Sequence, residues 1–266
     1  MIIVGHRGAR NLWPENSASG FRRLIALGAD AVEFDVQETR DGVAVVLHDP
    51  LLDRTTQGRG PVRDRSAAEV LATPLRAGQG EEGKEGDEAG ECVPSLAAVL
   101  ALFAPTSMEL HVEIKTDAAG ELPEGAVARL VRALHDAGVA GRSILTCFVP
   151  EVLEEVQRVW PQGRVLASLD HRSAEMLGGI GRALARCAAM PGCIVAVEKK
   201  LLAATWPQCL AVLGSERLGA WVVNEPEDIA HWLAMPVRQI TTDRPDLALA
   251  ARAGRARPAT TAATDA

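Results

Sequence analysis

Residues 31–48 read Ala31-Val32-Glu33-Phe34-Asp35-Val36-Gln37-Glu38-Thr39-Arg40-Asp41-Gly42-Val43-Ala44-Val45-Val46-Leu47-His48, and this stretch decides the fold. Successive side chains of an extended chain point to opposite faces. Over 31–36, Glu33 and Asp35 therefore share one face, and Val32, Phe34 and Val36 share the other. The apolar face seeks a covering layer, while the acidic face looks into whatever the sheet encloses. Asp41-Gly42 is a strong hairpin signal. Only residues 38–42 separate this strand from the next apolar run, 43–48, which is too short for a parallel crossover. The run 43–48 therefore returns antiparallel along an upward extension of the strand at 31–36, the second of the chain. A turn centred on Arg40–Gly42 places His48 opposite Phe34 or Asp35, carrying a histidine back to the carboxylates.

Outward from this hairpin, β-branched apolar runs alternate with helical patterns. Strands are expected at 2–6, 31–36, 109–115, 143–148, 164–168, 193–198, 220–223 and 239–242. Helices are expected at 17–27, 126–137, 151–160, 174–188 and 226–234. Alternation of this kind gives an α/β fold with a parallel sheet, and eight strands argue closure into a (β/α)8 TIM barrel. A small insertion, about 50–94, interrupts the rhythm between the second and third barrel strands. It holds a short helix at 66–72 and an acidic, glycine-rich stretch, 78–91, whose composition reads as a mobile loop. The barrel is expected as one catalytic domain over 1–257, followed by a disordered tail at 258–266.

The chain has 266 residues, 47% of them hydrophobic, enough for a substantial core. Its net charge of −7 gives no general pull toward nucleic acid or anionic membranes. The first residues carry no basic segment or long apolar run of the signal-peptide kind. No stretch approaches the roughly 20 apolar residues that span a bilayer. Five cysteines, odd in number and without a C-x-x-C pair, indicate neither a disulfide framework nor a zinc site. These features point to a soluble cytoplasmic protein without stable membrane association.

In a parallel barrel, chemistry sits where strands end, at the carboxyl face. His6 and Arg7 end the first strand, Glu33 and Asp35 lie near the end of the second, and Glu113 and Lys115 share one face of the third. Leu110, Val112 and Ile114 face the helices. Carboxylates inside a barrel are costly unless a metal or cations compensate them. Three converging acids suit a hard divalent ion, Mg²⁺ or Ca²⁺, with Mn²⁺ a further candidate. His6 and His48 supply a general acid and a general base. Taken singly, a Glu-x-Asp pair is ordinary at a strand rim, Glu-x-Lys is ordinarily an ion pair, and His48 could be a core histidine. Their convergence at one end of one barrel is what argues for a site.

The segments His6-Arg7-Gly8-Ala9, Pro14-Glu15-Asn16, Glu33-Phe34-Asp35-Val36, Thr39-Arg40-Asp41-Gly42, Val45-Val46-Leu47-His48-Asp49, Leu52-Asp53-Arg54-Thr55-Thr56-Gln57-Gly58 and Glu113-Ile114-Lys115 closely resemble the glycerophosphodiester phosphodiesterase family, in its bacterial cytoplasmic type. Trp221-Val222-Val223-Asn224 and Thr242-Asp243-Arg244-Pro245 resemble that family's last two barrel motifs. The resemblance implies hydrolysis of small-molecule glycerophosphodiesters to glycerol 3-phosphate and an alcohol, a step of lipid and glycerol metabolism. By position, His6 and His48 correspond to its acid/base pair, and Glu33, Asp35 and Glu113 to its metal ligands. Arg7 and Lys115 correspond to phosphate-contacting cations and Trp221 to a residue of the substrate pocket. His111 departs from the pattern, which has a small amide there. It is expected to pack lower in the barrel rather than to ligate, since imidazole is softer than an all-oxygen set. Glu198, Lys199 and Lys200 follow no motif.

A rival of the same barrel superfamily is a lysophospholipase D-like or cyclising phosphodiesterase. It would need an apolar, lipid-accepting rim, and aromatics are only 3% here with no tyrosine. A non-catalytic phosphate-binding barrel should lack one of His6, His48, Glu33, Asp35 or Glu113, and all five are present.

Overall fold

The structure, a computed structural model, describes residues 1–76, 90–117 and 120–256. Nine strands appear among them: β1 (Ile2–His6), β2 (Ala31–Glu38), β3 (Ala44–Val46), β4 (Glu109–Ile114), β5 (Ser143–Cys147), β6 (Arg164–Leu169), β7 (Ile194–Glu198), β8 (Leu218–Trp221) and β9 (Gln239–Thr242). All but β3 are parallel, and pairing of β1 with both β2 and β9 closes them into an eight-stranded barrel. The helices are α1 (Ala18–Leu27), α2 (Ala67–Leu71), α3 (Leu96–Phe103), α4 (Ala126–Asp136), α5 (Pro150–Val159), α6 (His171–Met176), α7 (Ile180–Ala189), α8 (Lys199–Leu213), α9 (Pro226–Ala234) and α10 (Pro245–Ala256).

The alternation in β2 sets the layers. Its outward Phe34 packs between Phe21 of α1 and Phe103 of α3, with ring centroids 5.8 and 6.3 Å away, and all three rings are fully buried. Burying each such ring contributes roughly 1.5–3 kcal/mol, so this face fixes which way β2 points. The inward face is polar at both ends and partly apolar in the middle. Ile144, Leu166, Ile194 and Ala196 fill one side of the barrel interior. Below them, Glu109 accepts from both Arg238 (2.8 Å) and the His111 ring (2.8 Å) and pairs with Arg164 at 2.7 Å.

The hairpin forms as expected, with register Val36↔Val46, Gln37↔Val45 and Glu38↔Ala44. Gly42 sits at φ 75°, where a residue with a Cβ is strained, and its N–H donates to Thr39 O at 3.0 Å. Leu47 N still reaches Asp35 O at 3.0 Å, so counting along the ladder puts His48 at the level of Phe34. Regular pairing ends at Val46, two residues short of the expected run 43–48.

The chain after the hairpin builds a small second core of Val45, Leu47, Leu52, Val62, Val70, Leu75 and Val93. The acidic stretch 78–91 lies outside the described residues except for Gly90 and Glu91, as does the tail 258–266. Glu91 is docked on the barrel: its carboxylate accepts from Ser19 N (2.9 Å) and Ser19 Oγ (2.6 Å) at the start of α1.

Several elements depart from the sequence expectation for physical reasons. The strand expected at 220–223 runs Leu218–Trp221. The helix expected at 174–188 is two, α6 and α7, separated at Gly178 and Gly179, whose φ values are 84° and 99°. Helices α3, α8 and α10 carry no clear amphipathic signal: α3 reads Leu-Ala-Ala-Val-Leu-Ala-Leu-Phe, and α8 is broken at Thr205 just before Pro207.

Candidate active site

The eight residues singled out from the sequence meet at the carboxyl end of the barrel. A cavity of about 240 Å³ is lined by His6, Arg7, Glu33, His48, Glu113, Lys115 and Trp221 among others. Asp35 lies just beneath this lining, fully buried.

Glu33, Asp35 and Glu113 each offer an oxygen within 4.8 Å of the others. Alternation on β2 supplies the first two, and the register Asp35↔Glu113 brings β4's acid alongside. Glu33 Oε1 and Asp35 Oδ1 are buried without an aligned hydrogen bond. Lys115 Nζ does lie 2.8 Å from Asp35 Oδ1, an ion-pair contact that lacks hydrogen-bond geometry. Lys115 also pairs with Glu113, and Arg7 Nε sits 3.4 Å from Asp35 Oδ2. Asn16 Nδ2 donates to that same Oδ2 at 2.8 Å, and Arg7 N donates to Glu33 Oε2 at 3.1 Å.

Burial is the largest influence on these acids. It drives the Glu33 carboxyl well above its ordinary range, with repulsion from Asp35 and Glu113 adding to it. Glu113 rises for the same first reason, opposed by Lys115. Asp35 resists burial because Lys115 and Arg7 hold its charge, and it falls below the usual carboxylate range. Three hard oxygen donors, with Glu33 Oε1 buried and unpartnered, fit a divalent cation, which would supply that missing partner.

Each histidine is held by an aspartate. His6 Nδ1 lies 2.6 Å from Asp243 Oδ1, and Asp243 also accepts from Arg10 Nε (2.9 Å) and Asn224 Nδ2 (2.7 Å). His48 Nδ1 lies 2.6 Å from Asp49 Oδ1. With a carboxylate as acceptor, Nδ1 carries the proton in both rings and Nε2 remains for chemistry. Burial lowers the pKa of both histidines, so each is predominantly neutral at neutral pH, although their aspartates pull the other way. Asp243 falls to about 2 despite its burial, through its hydrogen bond with His6.

Trp221 forms one wall, its Nε1 donating to Ala196 O at 2.9 Å and its ring edge-on to Phe148 at 5.5 Å. His111 stays in the lower barrel, tied to Glu109, with Nδ1 3.4 Å from Gln239 Nε2. It lines the cavity floor and does not join the carboxylate cluster. Glu198 caps α8, accepting from Leu201 N at 3.0 Å, and Lys199 pairs with Asp228, so neither lines the cavity.

Asp49, Asp243, Asn224, Glu15, Asn16 and Arg54 were not assigned site roles from the sequence. Asp243 had the clearest available signal: a carboxylate following the last barrel strand, where β1's neighbour must end. Replacing Asp243 with Asn should lower kcat about 100-fold with KM changed less than about threefold, because the His6 ring loses its orientation rather than its substrate contacts. Steady-state kinetics decide this, and equal losses in KM would contradict it.

An eight-stranded parallel barrel with acids, cations and two aspartate-held histidines at its carboxyl mouth defines the class: a TIM barrel whose site suits an anionic phosphoester. A model of the glycerophosphoryl diester phosphodiesterase family matches residues 6–247, and the chain belongs to that family. It is 33% identical over 164 residues to a glycerophosphodiester phosphodiesterase of Caldanaerobacter subterraneus, an alignment spanning 62% of this chain and 65% of that protein. The solved structure of a candidate glycerophosphoryl diester phosphodiesterase from Agrobacterium tumefaciens superposes with a TM-score of 0.84 at 27% identity, covering 96% of this chain and 98% of the other. A second structure from that organism, a glycerophosphodiester phosphodiesterase, gives 0.72 at 25% identity over 94% and 99%.

Proposed function

We propose that this chain is a divalent-metal-dependent glycerophosphodiester phosphodiesterase, releasing glycerol 3-phosphate and an alcohol. The observation that carries the reading is the arrangement around one cavity: two histidines with free Nε2 atoms, three clustered carboxylates and two cations.

Charge counting supports a metal. Glu33, Asp35 and Glu113 contribute three negative charges against two positive ones from Arg7 and Lys115, leaving −1. Glu15 and Asp49 share the single cation Arg54, which adds a further −1 and makes the count −2 when all the acids are ionised. A mouth at −2 repels a phosphodiester monoanion, whereas a divalent cation removes that net charge. Glu33, Asp35 and Glu113 would hold that cation, Mg²⁺, Ca²⁺ or Mn²⁺. When bound it would neutralise phosphate charge and make the phosphorus more open to attack.

The protein groups divide the remaining work. Arg7 presents a planar fork and Lys115 a point charge to the nonbridging oxygens. His6 is the deeper ring and acts as base, its Nε2 taking a proton from the attacking oxygen, that of water or of the neighbouring glycerol hydroxyl. His48 is nearer the rim, its side chain 30% exposed, and acts as the imidazolium: it takes a proton at Nε2 from solvent and passes that proton to the departing alcohol oxygen as its bond to phosphorus breaks. Trp221 and Phe148 offer the apolar wall for the glycerol carbons.

The barrel and its insertion work as one catalytic domain over 1–257. No helix among the described residues is long and apolar enough to cross a membrane. Five free cysteines, four of them buried, suit the reducing cytoplasm. A panel of glycerophosphodiesters beside a lysophospholipid, with coupled detection of glycerol 3-phosphate, tests the assignment. Turnover of the small diesters at least about tenfold above the lysophospholipid is expected, consistent with the lack of an interfacial aromatic belt. The reverse order would favour the lipid-acting rival.

A further inference from the structure

The insertion after the hairpin contributes one residue that reaches both halves of the catalytic cavity without lining it. Arg54 Nε and one terminal nitrogen grip Asp49, at 2.6 and 2.9 Å. Its terminal nitrogens also grip Glu15, at 3.0 and 2.8 Å. Asp49 holds the His48 ring at 2.6 Å. Glu15 accepts from Arg7 at 3.3 Å. One guanidinium therefore ties a proton-carrying histidine to a cation at the anion site, through two carboxylates that have no other described cation partners apart from Arg7.

The loop bearing Arg54 is built to hold it still. Leu52 is buried in the insertion's own core, and Leu52 N donates to Gly60 O at 3.0 Å. Thr56 N and Oγ1 both donate to Leu52 O, at 3.1 and 2.6 Å. Gly60 N donates to Asp53 Oδ2 at 2.8 Å. The Arg54 side chain itself is 46% exposed, so it is not there to fill a core. Both edges of the fork are used, each making two bonds to one carboxylate, a pattern an ammonium cannot copy.

We propose that Arg54 is a positioning residue that sets His48 and Arg7 in register with each other, making the insertion a working part of the active site. This rests on the phosphodiesterase reading above. Asp49 serves the proton-transfer side and Glu15 the anion-binding side, so their effects separate in kinetics while Arg54 carries both.

The test compares Asp49→Asn, Glu15→Gln, Arg54→Met and Arg54→Lys in the full chain with Mg²⁺. Glycerophosphoethanolamine is the substrate, and calorimetric binding of glycerol 3-phosphate gives a second readout. Asp49→Asn should lower kcat about 30-fold with little change in KM, since a misplaced proton carrier costs rate. Glu15→Gln should raise KM and weaken glycerol 3-phosphate about tenfold, the scale of one lost charge-assisted bond. Arg54→Met should show both losses, and adding either carboxylate change to it should cost less than about twofold more, as expected for one coupled network. Arg54→Lys should recover at most one of the two. Arg65→Met, on the same insertion but away from the cavity, should match wild type.

Arg54→Met within about threefold of wild type in kcat, KM and product binding overturns the proposal. So does full recovery by Arg54→Lys, or additive losses on top of Arg54→Met. Wild type that binds glycerol 3-phosphate but hydrolyses no diester would defeat the catalytic reading instead. The binding difference between wild type and Arg54→Met would then decide the Arg7 arm, and equal binding would overturn it.

Discussion

Replacing either His6 or His48 with alanine is expected to lower turnover by about 10³-fold or more while the protein stays folded, the upper range of what one positioned proton carrier contributes. Both rings are fixed by an aspartate on Nδ1, and neither contributes to the apolar clusters of the core. The loss should therefore fall on kcat, with the circular dichroism spectrum unchanged. The two variants should differ in one respect. A p-nitrophenyl ester of glycerol 3-phosphate has a leaving group that departs without a proton. His48→Ala should recover much of its activity on that ester, and His6→Ala should not. Recovery in the opposite variant would reverse the acid and base assignments, and turnover within tenfold of wild type in either one would remove that histidine from the mechanism.

Removing the cation is expected to have an effect of similar size. Exhaustive chelation should abolish hydrolysis, and Mg²⁺, Mn²⁺ or Ca²⁺ should restore it. Glu33→Gln, Asp35→Asn and Glu113→Gln should each raise the metal concentration needed by about 10–100-fold or more, since each removes a charged ligand oxygen. The same acids make a stability prediction for the chelated protein. Burial raises the pKa of Glu33 and Glu113 in the folded state above that in the unfolded chain. Raised folded pKa values mean that the folded state binds the extra protons, so stability is greatest at low pH and falls as pH rises through those values. Asp35, lowered by Lys115 and Arg7, has the opposite sign and opposes this trend. In chelator at pH 8, Glu33→Gln should therefore raise Tm by roughly 3 °C or more, because it removes the most strained charge. With Mg²⁺ present, the same substitution should give no such gain. A lower Tm for Glu33→Gln in chelator would show that the carboxylate is stabilised by the protein alone.

Much of this site could be read before any coordinates, because it is made of short-range regularities. Alternation at 31–36 separates Glu33 and Asp35 from Phe34, and Asp41-Gly42 turns the chain so that His48 returns to them. What stayed hidden is long-range. Asp243 is 237 positions from the His6 it orients, and Arg54 is 39 from Glu15. No local periodicity encodes such pairs, although Asp49 adjoins His48 and Asp243 follows a strand end. The insertion's role was illegible for a related reason: its apolar residues are too few and too scattered to announce a core, and among the described residues they cluster with Val45 and Leu47 of the hairpin. Helices α3 and α8 escaped because a uniformly apolar run and a proline-broken one both lack the 3.6-residue period.

The most direct test of the account is one titration on one sample. Chelated protein is given a glycerophosphodiester, and glycerol 3-phosphate release is followed as Mg²⁺, Mn²⁺ or Ca²⁺ is added, beside the Glu33→Gln and Asp35→Asn variants. Saturable, metal-dependent release by the wild type, displaced to higher metal concentration in both variants, is the predicted result. Equal release before and after metal addition, or none with any of the three ions, would contradict it.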